Sequence, residues 1–278
     1  MLLGPALAWW AVLLCVPVAL VLVYSFVERG LYGGVVWNFT FDNYSRVAEG
    51  LYVDVLLSSM KLAGIATVLA LLIGFPTAWF IAARKSARVR TALLVLCVLP
   101  FWTSLLIRTY AWIVLLNENG LVNETLISLG VIGAPAELLY NEFAIVVGLL
   151  YGYLPLMILP LYAAIERLDP EVREAATDLG AGPIRRFFTV IVPLTRAGIV
   201  AGCIFVFVPS LGNFIVPDLL GGGRSSMIGN LIQNEFLRTR DWPFGATLAL
   251  ALILVMVAVI VIQALLVNRD RRRQVGAN

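Results

Sequence analysis

The chain has 278 residues, of which 61% are hydrophobic and 13% charged, and a mean hydropathy of +0.93. A soluble domain carries about 25% charged residues, so the composition excludes a soluble core with a tail and points to an integral membrane protein with several spans. The net charge of +3 says little by its size, while the lack of any histidine excludes His-based acid–base chemistry, His-containing triads and His-ligated zinc or haem.

In chain order, hydropathy predicts six spans, at about residues 7–27, 55–82, 93–116, 143–165, 194–216 and 244–267. Each is long enough to cross a hydrocarbon layer of about 30 Å. Each must be helical, because lipid offers the backbone no hydrogen-bond partner. The first apolar run lacks a basic flank and a small-x-small cleavage site, so it reads as a retained anchor rather than a removed signal peptide. A mixed polar segment, residues 28–54, follows it and contains a turn signal at Gly33-Gly34. Lys61 falls in the second span and Arg108 in the third, where Pro100 also lies; both charges are expected to snorkel or to pair with an acid. Cys15, Cys97 and Cys203 sit in apolar runs without metal-ligand spacing and read as packing residues.

The longest charged interruption is residues 166–193, ERLDPEVREAATDLGAGPIRRFFTVIVP. Asp169 followed by Pro170 reads as an N-cap with proline at the first helical position. Glu171 and Glu174 lie near that positive helix end, where they are favoured. Gly180 is placed to stop this helix in the left-handed conformation. A second start follows at Gly182-Pro183 and runs towards Pro193, read here as a breaker. The unit is too short and too charged to span a bilayer, and well suited to protrude from one.

The distribution of charge orients the chain. Thirteen of the 20 basic residues fall in the loop after the second span, in the 166–193 segment with Arg196, and in the tail from Arg269. The positive-inside rule places these in the cytoplasm, together with both termini. The other side carries 11 acids against the seven remaining bases, Lys61 and Arg108 of the spans included, a surplus compatible with attracting a cationic cargo and equally with an ordinary solvated face.

Glu174-Ala175-Ala176, then Gly180, then Val190-Ile191-Val192-Pro193 resembles the EAA signature loop of bacterial ABC-importer permeases, with valine for the usual isoleucine and leucine. Further blocks resemble the polyamine (spermidine/putrescine) importer permeases within that class. They are residues 100–110 (PFWTSLLIRTY), 192–202, Pro217-Asp218-Leu219-Leu220-Gly221-Gly222, Met227-Ile228-Gly229-Asn230 and Arg240-Asp241-Trp242-Pro243-Phe244-Gly245. The resemblance implies a single transmembrane permease domain over residues 1–278, with the type I ABC-importer permease fold, all-α with six transmembrane helices. It also implies that Glu174, Ala175, Ala176, Asp178, Gly180 and Pro193 belong to a coupling loop that docks on an ATPase. The implied partners are a second permease subunit forming a heterodimer, an ABC ATPase dimer and an extracytoplasmic polyamine-binding protein, in a bacterial inner membrane; no nucleic acid is expected.

The two lysines, Lys61 and Lys85, follow Met60 and Arg84, so no P-loop Gly-Lys pair exists. No cofactor is expected on this chain, and ATP with its magnesium would be used by the separate ATPase. A polyamine wants carboxylates or amide oxygens at its amines and aromatic faces beside them. Candidates near or within the spans are Trp102, Tyr110, Tyr151, Tyr153, Asn213 and Asp218, against which stand an interfacial belt, helix–helix hydrogen bonding and local capping. Where some putrescine relatives carry an acid in the fifth span, this chain has Asn213. Gly198-xxx-Gly202 permits close helix approach, within this chain or between subunits. The rival readings are a permease for another small solute and a gradient-driven secondary transporter. For the latter, the spans hold no acid pair and no histidine relay.

Overall fold

A computed structural model describes the backbone of residues 3–223 and 227–275, and the side chains of these except 3–8, 170, 173, 174 and 266–275. In chain order the elements are α1 (Leu3–Tyr24), β1 (Val27–Arg29), β2 (Val35–Phe39), α2 (Asp42–Val47), α3 (Gly50–Ala82), α4 (Ala87–Val98) and α5 (Leu105–Leu116). There follow α6 (Leu121–Ser128), α7 (Glu142–Glu166), α8 (Pro170–Asp178), α9 (Pro183–Arg186), α10 (Val192–Leu211), α11 (Ile215–Leu220), α12 (Ile228–Leu237) and α13 (Trp242–Val275).

Among the described residues, four helical stretches are long and apolar enough to cross a membrane: Gly50–Ala82, Glu142–Glu166, Pro183–Leu211 and Trp242–Leu265. The third expected span is not one straight helix. Its residues belong to a bent pair, Ala87–Trp102 and Leu105–Ser128, whose axes differ by 89°. Pro100 has no N–H to donate and its ring crowds the preceding turn. The chain tightens there into a 3₁₀ turn, Leu99–Trp102, extends through Thr103 and Ser104, and restarts as α5. The first expected span is helical through α1, apolar over Trp9–Tyr24.

The polar segment after α1 folds into a hairpin that hydropathy did not foreshadow. β1 pairs antiparallel with β2, Glu28 opposite Val36 and Arg29 opposite Val35, with a bulge between Val27 and Glu28. Gly33 and Gly34, at φ +88 and +82, make the turn in a region where other residues are strained.

The chain forms two compact units, Met1–Ser59 with Ser226–Val259 and Met60–Ser225 with Ile260–Asn278. In the first, Asp241 is the organising residue, at 1% exposure. Its Oδ1 accepts the Phe244 N–H at 3.1 Å, capping α13, and its Oδ2 accepts Arg46 Nη1 at 3.0 Å. Arg29 Nη1 stands 3.9 Å from the same carboxylate, and Arg29 Nη2 donates to the Thr239 carbonyl at 2.7 Å. The Gly34 N–H donates to the Arg240 carbonyl at 3.1 Å, so the hairpin is tied at several points to the start of α13.

The second unit is built on α7 lying against α10, the most extensive helix contact in the chain. Glycines allow it. A Cβ on Gly198 would lie 2.5 Å from Ala164 Cβ and 2.7 Å from the Pro160 carbonyl oxygen; one on Gly202 would lie 2.6 Å from Met157 Sδ. The Gly198-xxx-Gly202 pattern thus serves packing inside this chain. Around it Ala70, Ala78, Ile158, Leu161 and Val206 are buried. Outward residues such as Leu72, Val114 and Leu254 are large, apolar and exposed, as helices solvated by lipid require.

Candidate functional site

The 166–193 segment folds as a helical elbow. The Asp169 carboxylate accepts the Glu171 N–H at 2.9 Å, and α8 follows with Pro170 in its first turn. Gly180 sits at φ +78. Its N–H donates to the Thr177 carbonyl at 2.9 Å, and the Ala181 N–H to the Ala176 carbonyl at 3.1 Å. Those two bonds are the Schellman closure of a helix end, which needs a left-handed residue where Gly180 stands. Ala176 is buried, while Ala175 and Asp178 are exposed; the Glu174 side chain lies outside the described ones.

Across the turn, Arg186 Nη1 donates to Thr177 Oγ1 at 2.7 Å, holding the end of α8 against the start of the next helix. Leu179, Ile184 and Phe188 project from the elbow at 87%, 74% and 65% exposure. In a segment this polar, such an apolar group suits a protein contact better than water.

Pro193 does not break the second helix. The helix runs unbroken from Pro183 to Leu211. Residues Phe187–Ile191 form a π-helical turn in which the Val192 N–H reaches back to the Phe187 carbonyl. The wider turn makes room for the proline ring and supplies the register that the missing N–H costs. α8 is thus joined through a closed turn to one continuous helix, Pro183–Leu211.

The candidate path residues are brought together only in part. Tyr153 and Asn213 meet: Asn213 Nδ2 donates to Tyr153 Oη at 2.7 Å, and Tyr153 Oη donates to the Pro209 carbonyl at 3.4 Å. Asn213 Oδ1 accepts the Val216 N–H at 2.9 Å, and the residue is 6% exposed. Both ends of its amide are therefore engaged, holding the junction between α10 and α11. Tyr151 packs edge-to-face on Trp112, with centroids 5.7 Å apart. Trp102, on the 3₁₀ turn, and Tyr110, on α5, are exposed, as is Asp218 on α11. A cavity of about 460 Å³ in the same unit is lined by Glu118, Glu137, Tyr140 and Gly222 among others, two of the surplus acids included.

Lys61 and Arg108 differ in their surroundings. Lys61 Nζ donates to Glu142 at 2.7 Å, a pairing across 81 positions that the residues alone could not assign. Arg108 does neither of the things expected of it. It is 9% exposed, so it does not snorkel, and among the described residues it has no carboxylate within 4 Å. The Phe101 and Tyr151 rings surround it instead, 5.4 and 6.0 Å from its guanidinium carbon.

A family model described as the binding-protein-dependent transport system inner membrane component matches residues 71–273. The chain is 44% identical over 260 residues to the spermidine/putrescine transport system permease protein PotB of Haemophilus influenzae, covering 94% of this chain and 88% of that one. It is 43% identical over 244 residues to the protein of the same name in Escherichia coli, covering 88% of each. Among solved structures, it matches a chain of a bacterial ABC transporter involved in the import of the acidic polysaccharide alginate. There the TM-score is 0.70 at 19% identity, over 96% of this chain and 94% of that one, a likeness of fold.

Proposed function

The chain belongs to the family of binding-protein-dependent transport system inner membrane components, and we propose that it is the permease subunit of an ATP-driven importer that moves polyamines, spermidine or putrescine, across that membrane. It is a multi-pass inner membrane protein. The observation that carries the cargo class is the nearly end-to-end likeness to permeases whose names specify spermidine and putrescine.

The energy source is a separate ATPase dimer, since this chain has no P-loop lysine. A second permease subunit completes the path, and an extracytoplasmic binding protein delivers the cargo. Six crossings place both termini and the elbow in the cytoplasm. There α8 and the exposed Leu179, Ile184 and Phe188 meet the ATPase. Closure of the ATPases pushes α8, the closed turn at Gly180 transmits the push, and the unbroken Pro183–Leu211 helix reorients the path. The aromatic faces of Trp102 and Tyr110 and the carboxylate of Asp218 are free to meet an extended polycation. Tyr151, Tyr153 and Asn213 shape the wall behind them.

Affinity purification of the full chain, tagged at its C-terminus and extracted in mild detergent, tests the assembly. A P-loop ATPase and a second permease are expected to co-purify. A solitary chain or a homodimer, with the tag shown not to block docking, would turn the reading towards a gradient-driven transporter.

A further inference from the structure

Arg108 is a membrane-embedded charge without a counter-charge among the described residues. The six expected spans contain no Asp or Glu at all. Lys61 finds Glu142 at the start of α7, and Arg196 is engaged within the chain. Arg108 Nε and Nη1 are sealed from solvent and have no hydrogen-bond partner. An arginine does not escape by losing its proton. Ring faces at 5.4 and 6.0 Å offset only part of the cost of burying it. The residue keeps 9% of its surface open, and that is where an acceptor from outside this chain can approach.

We propose that Arg108 receives a carboxylate from a membrane span of a second, different permease subunit, making an intersubunit ion pair. The chemistry selects this occupant. A polyamine carries ammonium groups and is repelled. A second copy of this chain cannot serve, because its spans hold no acid. A headgroup phosphate is poorly placed, since Arg108 lies about 14 Å along α5 from the polar Asn117. The inference rests on reading the chain as one half of a permease pair, and it makes that pair hetero-oligomeric by charge: two copies of this subunit would bring two unpaired guanidiniums into the membrane.

The test uses the full complex that purifies with the tagged wild-type chain. Arg108→Leu is expected to lower the second permease recovered per mole of this chain about tenfold or more, and Arg108→Lys less. Arg108→Glu is expected to return to within about twofold of wild type when one intramembrane Asp or Glu of the second permease is changed to Arg. Independently of stability, Arg108→Cys should form a disulfide with a cysteine placed at that carboxylate position. The proposal is overturned by a second permease without any Asp or Glu in its spans. It is equally overturned by wild-type recovery with Arg108→Leu, or by a loss that no charge exchange restores and no cysteine pair reports, as a lipid partner would give. A wild-type chain that purifies alone would instead overturn the importer reading itself.

Discussion

Gly180 offers a graded test of the elbow as a force-transmitting joint. It stands at φ +78, and a Cβ built on it meets nothing within 4 Å. Substitution there acts through backbone conformation alone. An L-residue in the left-handed region costs about 1–2 kcal/mol, more for a β-branched side chain and less for asparagine. The two hydrogen bonds that close the turn contribute about 1 kcal/mol each, net. Valine therefore cancels most of what holds the turn, and about 1.4 kcal/mol already shifts such an equilibrium tenfold. In the purified complex, the ratio of spermidine imported to ATP hydrolysed should stay within about twofold of wild type for Gly180→Asn. The ratio should fall several-fold for Gly180→Ala and by about tenfold or more for Gly180→Val, with ATP hydrolysis retained. A valine variant that imports at the wild-type ratio, or an asparagine variant as poor as valine, refutes the joint.

Gly198→Leu should prevent the close approach of α7 and α10, because even a Cβ would stand 2.5 Å from Ala164; little folded protein should survive size-exclusion chromatography in detergent. Asp241→Asn keeps an acceptor for the Phe244 N–H but loses the charge facing Arg46, whereas Asp241→Ala loses both. Since Arg46 is 38% exposed, the charge contribution is screened, and costs of about 1–2 and 2–4 kcal/mol respectively are expected, with alanine the lower in thermal midpoint; the reverse order would contradict the capping role. Lys61→Gln removes a pair whose partners are 56% and 47% exposed, so stability should change by less than about 1 kcal/mol. A larger loss in a thermal melt would mean that the pair is far less screened than its exposure implies.

The local signals of the elbow were legible because each has a short-range cause. Asp169-Pro170 starts a helix, Gly180 closes it and Gly182-Pro183 starts the next, and all three stand where chain chemistry puts them. Pro193 misled for the same reason. Its ring forbids a regular turn, but a π turn over Phe187–Ile191 removes the conflict, and nothing in the residues announces that choice. Pro100 lies in the 3₁₀ turn that ends its helix, and the break itself falls at Thr103 and Ser104. Hydropathy found the apolar stretches but missed β1 and β2, which are too short for their alternation to stand out. Asn213 was picked out as a polar group in a span, yet its role as the tie between Tyr153 and α11 depends on a residue 60 positions away. Long-range pairing of this kind also separates Lys61, which has an acid, from Arg108, which has none among the described residues.

The central claim is met most directly by uptake in proteoliposomes. The complex purified through this chain would be reconstituted with its binding protein and given radiolabelled spermidine or putrescine, with ATP supplied on the face bearing the elbow. Uptake that requires hydrolysable ATP, persists in the presence of an uncoupler and is competed by unlabelled polyamine is the predicted result. Uptake that proceeds without ATP and collapses with the ion gradient, or ATP-driven uptake of some other solute that polyamines do not compete, would contradict it.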